Sequence, residues 1–348
     1  MPGHERLSYG LAILSAFQYL MRRYPNVFAI GQGLWSPWYV GNTMADLDKE
    51  FGSRRVIDTP VSEFACTSAA VGAAICGYRP IVIHPRIDFM LYAVDSIVNQ
   101  AAKWRHMFGG RSSAPVTVRG IINRGGEQGA QHSQSLHSWF AHIPGLRVVM
   151  PATPGDARDL LIASVLCDDP VLYVDDRWLY DETAELAPIV ETDLRSEGPM
   201  VRRVGRDATL VGAGYSAYLC ERAAEQLAAD GIECEVVDLR VINPLQTEVL
   251  VESVQRTGRL VVVDGDWSSC GLAGETIASV AESVDPEVWR AKPVRLTLPD
   301  APAPTSSALE QSYYPRASDV YSVVHSLLKP SPHETPLRRD GRPVRVTR

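Results

Sequence analysis

The stretch Val56-Ile57-Asp58-Thr59-Pro60-Val61-Ser62-Glu63 reads as a short strand that breaks at a proline and delivers a carboxylate to the head of a helix. The residues that follow, Phe64–Gly77, are mostly Ala, Gly, Ser, Thr and Cys, side chains small enough to let a helix pack closely on a sheet. Gly77 has the freedom needed at the C′ position just past a helix end. A lone Glu at the end of a strand is ordinarily a solvated cap. The motifs around Glu63 point to chemistry instead.

The same strand-then-helix alternation extends in both directions. Apolar residues at helical spacing (Leu7, Leu11, Leu14, Phe17, Leu20, Met21) precede the buried strand 26–30. Short apolar strands are expected at 81–83, 116–118, 147–150 and 171–174, with helices around 91–107, 133–141 and 155–167. A polar stretch from Ala187-Pro188 to Glu197-Gly198-Pro199 reads as a boundary. Beyond it the alternation resumes with the strand at 208–212, a helix from about Ser216 to Ala229, the strand 234–238, a helix near 246–254 and the strand 259–263. Gly212 and Gly214 lack the third glycine of a dinucleotide fingerprint and read as a tight strand-to-helix turn. The expected fold class is α/β, two three-layer α/β domains with mostly parallel sheets, spanning 1–190 and 200–328. Residues 329–348 are Pro-rich with six Lys/Arg against two Asp/Glu and read as a disordered tail or one lying on a partner.

Composition excludes several classes. The net charge is −7 over 348 residues and no basic stripe interrupts the folded part, which argues against nucleic acid as a partner. The six cysteines are far apart, with no C-x-x-C pair and no histidine at zinc spacing, so most read as small buried residues in a reducing compartment. No apolar run is long enough to span a membrane and the N-terminus lacks a signal pattern, so the cytoplasm is the expected location.

Three segments carry a resemblance: VIDTPVSE (56–63), RIDFMLYAVDSIVNQAAKWRHMFGG (86–110) and GAQHSQSLHSWFAHIPGLRVVMPATPGDA (129–157). Together they resemble the beta subunit of the thiamine-diphosphate-dependent first component of 2-oxo acid dehydrogenase complexes, of the pyruvate and branched-chain type, and the likeness runs in order from about Leu7 to about Leu328. It implies a pyrimidine-binding domain followed by a transketolase C-terminal-like domain that serves mainly as an assembly platform. It further implies that the Glu63 carboxyl bonds the cofactor's aminopyrimidine and helps generate its carbon nucleophile. Phe89 would stack on that ring, with Val61 and Pro85 beside it. His132 would face substrate and acyl acceptor, as an imidazole suited to proton transfer. Taken alone, Phe89 in an apolar run reads as core, and His132 as a loop histidine held by its Gln and Ser neighbours, although Gly125, Gly126 and Gly129 mark a close-approach loop.

The chain departs from that family's pattern in places. Gln32 stands in Ile30-Gly31-Gln32-Gly33 where the family carries an acid thought to relay protons between paired sites, and an amide cannot exchange a proton at neutral pH. Gln311 follows Glu310 where a lysine is usual. His84 and Arg86 put polar groups in a strand that is normally apolar; by alternation they should point away from Phe89. Arg86 is suited to a carboxylate or phosphate, or to an ion pair across a subunit interface. The acidic metal-binding loop of thiamine enzymes is missing, the nearest string being Asp264-Gly265-Asp266, so no metal ligand is assigned to this chain. The resemblance therefore implies an alpha subunit that holds Mg2+ and shares the cofactor in an α2β2 heterotetramer. It also implies a structural K+ on backbone carbonyls, a small 2-oxo acid as substrate and a lipoyl-bearing acyltransferase as acceptor. Two alternatives stay open: a thiamine-dependent transferase passing a two-carbon unit to a sugar or aldehyde, and a non-catalytic scaffold, which would need neither Glu63 nor His132.

Overall fold

In a computed structural model, residues 5–36 and 38–328 are described, and the expected disordered tail lies outside them. The alternation predicted from the sequence is the architecture observed. The first sheet has seven strands in the order Val241–Asn243, Arg147–Val149, Val171–Asp176, Thr117–Ile122, Arg79–His84, Val27–Gln32, Val56–Thr59. All neighbours are parallel except Val241–Asn243, which pairs antiparallel with Arg147–Val149. That edge strand comes from beyond the sequence boundary at 187–199, so the second half of the chain completes the first sheet. Asn243 secures it by donating to the carbonyls of Ile143 at 3.1 Å and Leu146 at 2.6 Å. The second sheet runs Val294–Leu298, Leu260–Trp267, Ala208–Gly212, Cys234–Asp238, Met200–Arg203, with only the last strand antiparallel.

Local chemistry explains the elements. Helix Tyr9–Arg23 starts where the Ser8 hydroxyl accepts from the Leu11 amide and ends with Arg22 and Arg23 in its last turn, both favourable to the helix dipole. Its face of Tyr9, Ile13, Phe17 and Leu20 is buried against helix Pro154–Leu166, which has Thr153 as its cap and a proline in its first turn. Gly212 turns the chain from strand to helix, where a Cβ would collide with the backbone of Ser216 and Ala217. The helix expected over 91–107 is less regular: a 3-10 turn at Phe89–Ala93, a wide π-type segment at Asp95–Ala101, then α-helix to Met107. The wide segment sets Ser96 2.7 Å from Ser68 on helix Glu63–Ile75. Of the cysteines, Cys167, Cys220 and Cys234 are buried as expected, whereas Cys76 and Cys270 are exposed.

Two polar assemblies hold the layers. Within the first domain, fully buried Arg119 clamps Asp175 through Nε at 2.8 Å and Nη2 at 2.7 Å, and also donates to Thr43 at 2.9 Å. Tyr180 completes the set, donating to Asp175 at 2.6 Å. Burial works against the Arg119 charge, but the Asp175 carboxylate outweighs it and the guanidinium is held firmly protonated. Between domains, Asp156 accepts from Arg240 Nε at 2.9 Å and also bonds Arg202, which reaches Asp238 at 3.0 Å. Burial pushes the Asp238 carboxyl up to about 6 although Arg202 opposes it.

Removing one member of a buried pair strands the other charge. Arg119→Met is expected to destabilise the fold by about 3–5 kcal/mol in denaturant titrations; a loss under ~1 kcal/mol would mean that Asp175 finds water or another donor.

Candidate active site

Parallel strands Val27–Gln32, Val56–Thr59 and Arg79–His84 are neighbours, and their carboxyl ends open onto a cleft, the place where α/β sheets take ligands. Pro60 ends the edge strand Val56–Thr59, and Glu63 begins helix Glu63–Ile75, so the carboxylate stands half-buried in the cleft wall. Phe89 and buried Pro85 line the same cleft, reached by the chain after it leaves the third strand. Val61 sits on the turn, 68% exposed and outside the cleft lining, and its neighbour Phe64 is 52% exposed. Of the cofactor-side residues expected from the sequence, the structure therefore brings Glu63, Phe89 and Pro85 together and leaves Val61 apart.

His84 and Arg86 depart from the alternation argument, because both line the cleft with Phe89. Period-two alternation ends at His84, the last residue of the strand, and Phe89 already belongs to a 3-10 turn, so strand parity no longer relates them. Buried His84 has its Nε2 3.2 Å from the Thr67 hydroxyl, and burial lowers its pKa to about 4, leaving a neutral ring. Gln32 donates to the Tyr39 hydroxyl at 2.9 Å. Gly31 is required here, since an added Cβ would strike the Ile83 carbonyl of the adjacent strand.

His132 arrives on the loop between strand Thr117–Ile122 and helix His137–Ala141, a helix much shorter than the span 133–141 predicted. The loop runs through Gly125, Gly126 and Gly129, all at positive φ, and Leu136 at φ 51° turns it into the helix. The imidazole of His132 meets the Phe89 ring edge-on, with centroids 5.2 Å apart at 89°. Asp88 fixes this meeting: its Oδ1 accepts from the Gln134 amide at 3.1 Å and from the Gln134 side chain at 2.9 Å, tying the residue before Phe89 to the loop of His132. Burial raises the Asp88 carboxyl and those two donors oppose the rise.

The second domain holds the loop at both ends. At its start Arg124 reaches the Gly265 carbonyl of the second domain at 3.5 Å, while pairing with Asp176 and lying over the Trp178 ring of the first, 5.2 Å to its centroid. The Glu127 amide donates to Glu310 at 3.0 Å, and the Glu127 carboxylate accepts from the Ser307 amide at 2.9 Å. At the other end, buried His137 spans Ser135 Oγ at 2.8 Å and Asp264 Oδ1 at 2.9 Å, while Asp264 also accepts from the amides of Ala273 and Asp266. Because an ionised carboxylate only accepts, Nε2 carries the hydrogen toward Asp264. Asp88, His137 and Asp264 escape a reading of the sequence; the one signal available was Asp264-Gly265-Asp266, which resembles a defective metal loop. Asp264 instead serves as the acceptor for His137, and among the described residues no cluster of three His, Cys, Asp or Glu can hold a metal ion.

The cleft suits the pyrimidine half of thiamine diphosphate. It offers a half-buried acid and an aromatic ring, and the buried Thr59 hydroxyl in its lining has no partner in the protein. Comparison with known proteins agrees. Residues 5–181 match the model of the transketolase pyrimidine-binding domain and residues 197–320 that of the transketolase C-terminal domain. The chain is 38% identical over 343 residues to the beta subunit of the acetoin:2,6-dichlorophenolindophenol oxidoreductase of Cupriavidus necator, covering 94% of this chain and 99% of that one. It is 34% identical over 316 residues to the pyruvate dehydrogenase E1 component subunit beta of Rhizobium meliloti, covering 91% and 68%. The chain belongs to the family of E1 beta subunits of 2-oxo acid dehydrogenases. Members of this family depend on thiamine diphosphate and work with an alpha subunit. A solved structure titled as a split-gene transketolase, an inactive beta4 tetramer, superposes with a TM-score of 0.74 at 21% identity, over 92% of this chain and 98% of that one, and shows the shared fold. As a family member the chain is an enzyme subunit. Among the described residues no helix is long and apolar enough to cross a membrane.

The His137–Asp264 contact has a defined pH window. Burial lowers the His137 pKa, but the Asp264 charge and hydrogen bond raise it further, so it ends above its ordinary 6.5. Burial raises Asp264, and His137 more than reverses this, so it ends below 3.8. The histidine's contribution is complete below its unfolded value and is lost as pH rises through its raised value; the carboxylate's is present above its unfolded value and lost as pH falls through its lowered one. Amide exchange over 124–138, corrected for intrinsic rate, is therefore expected to be slowest between these limits and to accelerate on the alkaline side, and His137→Gln is expected to abolish that acceleration and leave exchange about tenfold faster at neutral pH. An unchanged profile in the variant would show that other contacts hold the loop.

Proposed function

We propose that this beta subunit, with its alpha partner in an α2β2 heterotetramer, decarboxylates a small 2-oxo acid and passes the acyl group to a lipoyl group on an acyltransferase. The observation that carries the reading is that Glu63 and Phe89 line one cleft at the carboxyl ends of parallel strands and that the His132 ring meets Phe89 edge-on. Bound thiamine diphosphate supplies a carbon nucleophile and an electron sink that no side chain provides. This chain's residues then have separate tasks. The Glu63 carboxyl would hold a proton shared with a ring nitrogen of the pyrimidine, Phe89 would offer its face for stacking with Pro85 in the same lining, and His132 would handle a proton where substrate and acyl acceptor meet. Asp88 keeps the last two in register. The acidic metal loop is lacking here, so Mg2+ falls to the alpha subunit, and a structural K+ would be held by backbone carbonyls.

The similarity to acetoin oxidoreductase subunits supports a second substrate reading, in which the bond between the two oxygenated carbons of acetoin breaks, acetaldehyde leaves in place of carbon dioxide, and the remaining two-carbon unit is passed on as acetyl with reduction of the acceptor. In both readings the chemistry at Glu63 is the same.

Glu63→Gln, co-expressed with the alpha chain, is expected to assemble normally and to lose about 10²–10⁴-fold in kcat with an artificial electron acceptor. Near-normal turnover would refute the role of Glu63. Pyruvate, branched 2-oxo acids and acetoin, each offered with and without a lipoyl domain, separate the substrate readings, and carbon–carbon transfer to a sugar or aldehyde without acyl-lipoyl product would move the chain to the transferase class.

A further inference from the structure

One wall of the cleft carries positive charge that no ion pair among the described residues neutralises. Arg86 lines the cleft half-buried; its Nη1 donates to the Pro85 carbonyl at 3.0 Å and its Nη2 reaches the Gln128 amide oxygen only at 3.5 Å. Arg177 donates to the carbonyl of Tyr39, itself a cleft residue. The Nε of both arginines is buried and without an acceptor. Among the described residues neither forms an ion pair, although most arginines packed against the core do, Arg119, Arg124, Arg202 and Arg240 among them. Asp88, the neighbouring carboxylate, commits its Oδ1 to Gln134, and its buried Oδ2 makes no hydrogen bond and no ion pair with Arg86. Gln32, in the same cleft and joined to Tyr39, presents an amide where the family pattern has an acid that would offset the charge. Burial, and then the nearby Arg177, act against the charge on Arg86, and Tyr39 and Asp88 offset them only in part, so its pKa ends below the usual arginine value. Partly buried cations without counter-charge are costly unless an anion joins them.

We propose that Arg86, backed by Arg177, forms an anion-binding wall of the Glu63–Phe89 cleft that receives a second negatively charged group of the substrate, a carboxylate or a phosphate. The inference rests on the proposed function and narrows its substrate class from monoanionic to dianionic ketones and 2-oxo acids. A guanidinium presents paired N–H donors to either group, which an apolar wall at this position would reject.

The test uses the assembled enzyme and matched substrate pairs. 2-Oxopentanoate is compared with 2-oxopentanedioate, and hydroxypyruvate with its phosphate ester, by calorimetric binding and by turnover with an artificial acceptor. The extra charged group is expected to tighten binding about tenfold or more in one pair, which identifies carboxylate or phosphate. In Arg86→Met the ratio of affinities within that pair, which a general loosening of the fold does not move, is expected to fall close to one, and Arg86→Lys to keep part of it. No preference in either pair in the natural sequence would overturn the proposal. So would an Arg86→Met protein that loses its alpha subunit in sedimentation while retaining the ratio, since Arg86 would then meet an acidic side chain of the partner. Failure of every substrate to turn over would sink the proposed reaction, and the calorimetric ratio would still decide the anion wall.

Discussion

The hydrogen bond between His137 and Asp264 is the contact on which the geometry of the site depends. It joins the end of the His132 loop to the second sheet, where both partners are buried and each would be left as an unpaired polar group without the other. The loop bends through three positive-φ glycines and has little stiffness of its own, so its shape comes from its ends. The second domain was expected to be mainly an assembly platform. It also supplies the anchors, Asp264, Glu310 and Ser307, that bring His132 edge-on to Phe89.

A second constraint comes from the sheet. Tightly packed parallel strands place Glu63, His84 and Gln32 at one edge because three neighbouring strands end together, and Gly31 allows two of them to approach without a Cβ between them. Arg119 and Asp175 satisfy one another, with Thr43 and Tyr180, in a region with no access to water. Asp176, next in the chain, projects from the opposite face of its strand and holds Arg124 at the start of the His132 loop. Two adjacent aspartates thus serve the core and the site, divided by the alternation of a strand.

The electrostatics of the cleft follow from substitutions that have little meaning one at a time. Gln32 and Arg86 are far apart in sequence and line the same cleft. An amide in place of an acid removes a negative charge, and an arginine in place of an apolar residue adds a positive one, so the two changes act in the same direction. His84 adds no charge, because burial keeps it neutral.

Much of the architecture was legible in the order of residues. Apolar runs of strand length alternating with amphipathic helices can bury themselves only as parallel sheets covered on both faces, and Pro60 followed by Ser62 and Glu63 marks a strand end and helix start by local stereochemistry alone. Glu63, Phe89 and His132 stood out in the sequence for a different reason: they sit in long motifs that resemble one family. What the residue order left undetermined is every contact made between distant segments. The crossing of Val241–Asn243 into the first sheet, the Asp88–Gln134 tie, the His137–Asp264 bond and the placing of Gln32 and Arg86 in one cleft depend on long-range packing, which local periodicity does not encode. Strand parity carried the reading of Arg86 only as far as His84; once the backbone leaves the strand, the direction of a side chain is set by the turn and by its neighbours in space.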